Sequence, residues 1–253
     1  MNEKNQFKKY SEYYDKIYEE KDYKKEADFL IKVIKKYSQS KVANILSLGC
    51  GTASHDIILA KKGFEITGVD MSEEMIKIAK EKSEKEKVNI KFKVADVTDF
   101  KVNEKFDFSM AMFNIAGYMT ENESMEKMLK NTFKFLKKGG LFVFDCWYGP
   151  AVLKSRPENR EKKVGDFVRR TTQNLDIEKS IIDITFEVLE NGAVKTKENH
   201  KMRFWYLREL EYLLNKNGFK MLKVCNFMDL SSKVSEDNWN IFVVAKKQSD
   251  LAI

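Results

Sequence analysis

Proline is nearly absent, with two in 253 residues. That argues against proline-rich linkers, which depend on its fixed φ. Histidine is as scarce: His55 and His200 are the whole complement, which excludes a histidine-rich metal centre. The three cysteines, Cys50, Cys146 and Cys225, lie far apart, form no CxxC pair and are odd in number. They give neither a disulfide framework nor a zinc-ligand spacing, and no metal site is expected. No run approaches the roughly 20 apolar residues of a membrane helix. The first residues, MNEKNQFKKYSEYY, lack the apolar core of a secretory signal. A cytoplasmic protein without membrane contacts is expected.

What is present suffices for a core. Hydrophobic residues make up 43% of the chain, beside 34% charged residues and a mean hydropathy of -0.51. The length suits one large domain, or one domain with a modest insertion. The net charge is +7, but the lysines are interleaved with glutamates at helical spacing, as in KKEADFLIKVIKKY and KIAKEKSEKEK. These are solvated helix faces rather than the concentrated basic patch of a nucleic-acid site. Nucleic acid is therefore not the expected partner.

Along the chain, residues 22–37 place Ala27, Leu30, Ile31 and Ile34 at helix spacing. KVANILSL reads as a buried strand, residues 54–62 as a helix closed by Gly63, and FEITGVD as a second strand. Ser72, followed by two glutamates, is a strong N-cap for the next helix. NIKFKVAD and KFDFSMAMFN read as strands three and four, ESMEKMLKNTFKFLKKGG as a helix with a glycine stop, and LFVFDCW as strand five. Strands alternating with such helices predict a parallel sheet covered on both faces. After Trp147 the period changes to strand-like alternation around an ENG turn, which predicts antiparallel hairpins up to about residue 204. A helix and two further strands, a candidate edge hairpin, follow.

The densest signal is ILSLGCGTASHDI, residues 45–57: a strand, two glycines one residue apart, then a helix start. A ligand is delivered at the carboxyl end of such a strand, where the helix offers free N–H groups. The Lys-Ser/Thr of a phosphate loop is missing, and Ser54 stands where a dinucleotide turn needs its third glycine. On this motif alone a plain tight turn stays open. The neighbouring strand tips favour a ligand. Asp70 ends strand two, 19 residues after Gly51, where an acid meets a ribose diol. Asp96 ends strand three, where it can meet an adenine amino group. Helix or turn capping is the alternative for both.

With ILSLGCGTASH, GVDMSEEMIKIAK, VADVTDF, FDFSMAMFNIAGYM and FKFLKKGGLFVFDCW in this order, the chain resembles the class I S-adenosylmethionine-dependent methyltransferases. The resemblance is close over about residues 40–148. It implies an α/β, Rossmann-like, doubly wound and mostly parallel seven-stranded sheet, with an antiparallel β insertion after strand five and an N-terminal helical lid. The expected divisions are a lid over 1–40, a cofactor domain over 41–148 and 205–253, and an acceptor-side wall over 149–204. By resemblance Gly49 and Gly51 face the methionine part of the cofactor and Asp70 the ribose. Met71 and Met75 lie beside the adenine, Asp96 and Val97 at its edge, and Met112 along the cofactor. His55 sits in the cofactor's neighbourhood. The family's usual acid two residues before the first glycine is Ser47 here, so the contact to the cofactor amino group is missing or runs through water.

SEYYDKIYEEKDYKKEADFL is similar to the lid of the small-molecule branch that includes the N,N-dimethyltransferases of nucleotide-linked amino sugars. That implies cofactor or substrate contacts for Tyr14 and Tyr23; packing of an amphipathic helix is the alternative. Trp147 and Tyr148 stand at the mouth of the insertion, and Arg169 or Arg170, the latter preferred, is a candidate for an anionic acceptor. Asn114 and Tyr118 occupy the reaction-side position, where neither the Pro-Pro-Tyr of nucleic-acid amine methylases nor a Pro-Cys pair occurs. Tyr118 is the candidate to orient or deprotonate an acceptor. The expected activity is methyl transfer to a small-molecule amine or hydroxyl by a monomer or homodimer, with catalysis largely by alignment. An RNA or protein methyltransferase and a non-catalytic binding protein are the alternatives.

Overall fold

Two sheets organise residues 10–248, the part of the chain that the computed structural model describes. The larger has seven strands: β1 (Asn44–Leu48), β2 (Glu65–Asp70), β3 (Ile90–Val94), β4 (Phe106–Ala111), β5 (Leu136–Trp147), β10 (Phe219–Asn226) and β11 (Asn240–Lys247). Their order is β10-β11-β5-β4-β1-β2-β3. β1 to β5 run parallel, and β11 is antiparallel to both β5 and β10. This is the expected doubly wound, mostly parallel sheet, with the two last strands paired at one edge. The order reverses at β1, whose neighbours are β2 and β4, and an open α/β sheet takes its ligand at that crevice.

The strands are apolar on both sides because helices cover both. Leu46 and Leu48 of β1 join one core with Phe142 and Phe144 of β5, while Ile45, Leu141 and Val143 join the other. α2 (Tyr23–Tyr37) buries Ala27, Leu30 and Ile34, as the spacing predicts, together with Phe29 and Val33, while Ile31 is only half-buried, and Asp22 caps the helix by accepting from the Lys25 amide. Ser72 likewise caps α4 (Glu73–Lys85) by accepting from the Met75 amide at 3.2 Å. One boundary differs from expectation. β5 starts at Leu136 and runs through Lys-Lys-Gly-Gly instead of following it. The pairing with β4 slips between Phe106 and Phe108, and Gly139 takes φ +75°. The glycines make a bulge inside a strand, and α5 (Asn122–Phe135) stops before them.

The second sheet is antiparallel and ordered β6 (Arg160–Val164), β7 (Phe167–Asp176), β8 (Ile181–Glu190) and β9 (Ala193–Arg203), after the short α6 (Gly149–Lys154). It is tied to the first sheet where the chain leaves and re-enters it. The Trp205 amide donates to Trp147 O at 2.8 Å, and the Trp205 indole donates to Ala116 O at 3.1 Å. α7 (Leu207–Lys216) then returns the chain to β10. α1 (Ser11–Ile17) bridges the two sheets. Its Asp15 accepts from Thr52 at 2.6 Å on the first, and Tyr13 donates to Glu190 at 3.0 Å on the second. No helix among the described residues is long and apolar enough to cross a membrane.

Candidate active site

A cavity of about 590 Å³ lies at the carboxyl tips of β1 and β4, roofed by α1 and walled by the second sheet. The glycine turn forms its floor. Gly49 (φ +64°) is fixed by crowding as well as by conformation, since a Cβ there would stand 2.2 Å from Ile115 Cδ1. Gly51 (φ +53°) faces open space, with no atom within 4 Å of where its Cβ would be. Ala53 also takes the left-handed conformation and leads into α3 (Ser54–Lys61). Three local features therefore bend the backbone away from the space beyond β1.

Asp70, at the tip of β2, holds this turn. Its Oδ2 accepts from the Gly51 amide and its Oδ1 from the Ser72 amide, each at 2.9 Å. Burial pushes its carboxyl above the usual range, and the two amides oppose that. Two further acids line the cavity. Asp56 of α3 is 1% exposed; its carboxylate accepts from the Ser47 hydroxyl, and its Oδ1 has no hydrogen-bond partner among the described residues. Burial pushes it up to about 6. Asp145 of β5 accepts from the Asn114 amide at 3.0 Å, and its Oδ1 likewise has no partner among the described residues. Burial pushes it up to about 6 as well. Asp145 thereby holds Phe113 and Asn114, two consecutive non-glycine residues with φ near +60° (69° and 58°), in the loop that follows β4.

On the roof, His55 Nε2 meets Glu26 Oε2 at 2.6 Å, Lys21 pairs with the other Glu26 oxygen, and Tyr23 packs edge-on against the His55 ring at 4.9 Å. Burial alone would raise the Glu26 carboxyl, but His55 and Lys21 outweigh it and hold it low. Tyr14 and Tyr18 pack against Phe113 at 6.4 Å and 4.9 Å. Lys82 ties α4 to the same region, donating to Asp15 at 2.9 Å, Ser54 at 3.0 Å and Thr52 at 3.1 Å.

Residues 45–140 match the family model described as Methyltransferase domain. A protein of Geobacillus sp. strain WCH70 that bears a provisional methyltransferase name is 27% identical over 252 residues, 95% of this chain and 99% of that one. The dTDP-3-amino-3,4,6-trideoxy-alpha-D-glucopyranose N,N-dimethyltransferase of Streptomyces venezuelae is 25% identical over 51% of this chain and 53% of its own. A solved S-adenosylmethionine-dependent methyltransferase from Clostridium acetobutylicum ATCC 824 superposes with a TM-score of 0.83 at 22% identity, covering 95% of this chain and 98% of that one. Residues 45–140 thus carry a methyltransferase domain.

The methyltransferase cavity brings together Tyr14, Tyr23, Gly49, Gly51, His55, Asp70, Met75, Met112, Asn114, Tyr118 and Trp147 from the residues expected in the site. Met71 is 39% exposed and outside the lining. Asp96 is exposed and caps a turn, accepting from the Thr98 amide at 2.7 Å, while Val97 packs into the core. Tyr148 packs against the first core rather than the cavity. Arg170 is also outside it. β7 alternates, so Arg170 points out and pairs with Glu161 at 2.6 Å and Glu187 at 3.5 Å, while Arg169 faces in.

Sequence reasoning missed Asp56, Asp145 and His200. The signal for Asp56 was the absence of an acid at Ser47, which asks where else a carboxylate stands. His200 lies on β9 of the insertion. Its ring Nδ1 lies 3.0 Å from the Tyr118 hydroxyl, which no sequence feature of a four-stranded insertion predicts.

Proposed function

We propose that this methyltransferase transfers a methyl group to an amine or hydroxyl of a small anionic acceptor, most plausibly a nucleotide-linked sugar. The observation that carries this reading is the continuity of the cavity. One space of about 590 Å³ is lined at one end by the glycine turn, Asp56 and Asp70, and at the other by Arg160, Lys162, Arg169, Thr171 and Gln173 of the second sheet. A volume of that order suits a small molecule beside part of a cofactor. The basic residues at the far end suit a phosphate or diphosphate. The relation to the Streptomyces venezuelae amino-sugar N,N-dimethyltransferase supports the same acceptor class.

The residues fit the cofactor. Gly51 leaves room for the methionine portion, and the unpartnered Oδ1 of Asp56 suits its ammonium group, taking over the role that Ser47 cannot fill. Asp70, with one acceptor direction per oxygen given to a backbone amide, retains others for the ribose diol. Met75 lies beside the adenine, and Met112 runs along the cofactor. Tyr14, Tyr23 and His55 close the roof over it, while Asn114, Trp147 and Arg169 face the acceptor.

Bound S-adenosylmethionine supplies an electrophilic methyl group on a sulfonium. The protein's part is to align the acceptor with it and to exclude water beneath α1. The test has two stages. Calorimetry with S-adenosylhomocysteine should show binding, and radiolabelled S-adenosylmethionine should label a nucleotide amino sugar but not bulk tRNA or a protein extract. Labelling of RNA or protein alone would refute the small-molecule reading.

A further inference from the structure

β9 buries every second residue: Thr196, Glu198, His200 and Met202 face inward. An alternation of this kind ordinarily puts apolar residues inside. Here the inward positions hold a glutamate and a histidine whose side chains are 8% and 0% exposed. Burying such a pair carries a desolvation cost, and an apolar pair of similar volume is often at least as stable. Packing alone therefore does not account for it.

The three groups form a chain that ends at the cavity. Glu198 Oε2 lies 3.3 Å from His200 Nε2, and His200 Nδ1 lies 3.0 Å from the hydroxyl of Tyr118, which lines the cavity. The direction of the bonds follows from their chemistry. A carboxylate only accepts, so His200 carries its hydrogen on Nε2 and donates it to Glu198. In the neutral imidazole Nδ1 is then the acceptor, and Tyr118 donates to it. Toward any partner on the cavity side the Tyr118 oxygen presents a lone pair. Burial, with Tyr18, Asp70 and Glu198 nearby, raises the Tyr118 hydroxyl far above its ordinary value, so it does not act as a standing tyrosinate. It must pass its own proton on as it takes another.

We propose that Tyr118 accepts the proton of the methyl acceptor and relays it to His200, with Glu198 holding the imidazolium that results. This rests on the small-molecule reading above. As an ammonium N–H or hydroxyl O–H of the acceptor gives its proton to Tyr118 Oη, the Tyr118 proton moves to His200 Nδ1. The freed lone pair forms the bond to the methyl carbon, the carbon–sulfur bond breaks, and its electron pair stays on sulfur. The proton leaves His200 by the same path after product release. The groups facing the pair are Tyr118 from the 3-10 turn after β4, Tyr10 at the start of α1, and Arg169 of β7 across the Phe186 ring of β8. Tyr118 is the catalytic residue here; His200 and Glu198 act through it as positioning residues.

The test has two arms. Only two histidines occur, so 15N NMR resolves His200 in the wild type against His55→Gln. The relay requires the Nε2–H tautomer and a change at Nδ1 in Tyr118→Phe; an Nδ1–H tautomer overturns it. In the second arm, single-turnover transfer to dTDP-3-amino-3,4,6-trideoxy-α-D-glucopyranose is followed from pH 6 to 9. Tyr118→Phe, which removes one oxygen, and His200→Asn should each slow it about 100-fold near pH 7. The deficit should shrink toward pH 9, where the acceptor sheds its proton unaided, with S-adenosylhomocysteine affinity within twofold of wild type. A deficit equal at every pH overturns the relay. Failure of the wild type to methylate this probe counts against the sugar reading, and the tautomer then decides the relay by itself.

Discussion

Asp56→Asn should move stability and cofactor affinity in opposite directions. Asp56 is 1% exposed, and burial raises its carboxyl from the ordinary 3.8 to about 6, with the Ser47 hydroxyl and His55 only partly opposing. A folded-state value above the unfolded one means that the folded chain holds this proton more tightly. The stability linked to it is complete below the unfolded value and is lost as the pH rises through about 6. At about 1.36 kcal/mol per pH unit, the ionised carboxylate costs the folded state about 3 kcal/mol above that pH. Asparagine escapes the cost and can keep the bond to Ser47. For a chain of this size about 3 kcal/mol corresponds to a Tm rise of roughly 6–12 °C, measured by calorimetry at pH 8 and shrinking toward zero near pH 4. If Asp56 receives the cofactor ammonium, the same variant loses a bond between charged groups, about 1.5–3 kcal/mol. The Kd for S-adenosylhomocysteine would then rise about 10- to 100-fold. An analogue lacking the amino group should bind wild type and variant alike. A raised Tm with unchanged affinity would refute the ammonium assignment. A lowered Tm would refute the burial argument itself.

Gly49→Ala puts a methyl group 2.2 Å from Ile115 Cδ1 at φ +64°, so it should destabilise the fold by about 1–3 kcal/mol in denaturant titration. Ile115→Ala in the same chain should recover the steric part of that loss. Asp70→Ala removes the acceptor for the Gly51 and Ser72 amides, and S-adenosylhomocysteine should bind about 10- to 100-fold more weakly by calorimetry. Arg169→Met should weaken dTDP binding about tenfold by fluorescence titration, because Arg169 faces the cavity with its Nε unpartnered among the described atoms. Arg170→Met should leave dTDP binding unchanged, since its guanidinium is paired with Glu161 and Glu187 on the outside.

The cofactor half was legible because local chemistry writes it into short stretches. A strand ending in two glycines needs positive φ at both, and the structure shows +64° and +53°. Ser72 with two glutamates after it specifies a helix start that no distant contact has to supply. Asp70 could be placed from its spacing to Gly51, since adjacent parallel strands bring their tips together. Asp96 follows the same spacing logic less well. β3 ends at Val94, and the short polar side chain two residues later finds a nearer partner in the Thr98 amide.

The acceptor half was not legible, because its geometry depends on parity and on contacts between segments far apart in sequence. Arg169 and Arg170 are interchangeable in composition, and only the phase of β7, set by pairing with β8 over Phe167–Asp176, decides which faces the cavity. Glu198, His200 and Met202 alternate with Lys197, Asn199 and Lys201, so charge lies on both faces and the pattern alone does not say which is buried. Register with β8, where His200 stands opposite Ile184, turns the Glu198–His200 face inward. The sequence separation of 82 between Tyr118 and His200 is then closed by the return of the chain at Trp205, whose indole binds Ala116 O two residues before Tyr118. Trp205 is fully buried and joins three segments: the tip of β5, the turn after β4 and the end of β9. The distance between the relay and the glycine turn therefore depends on one aromatic side chain that carries no chemistry of its own.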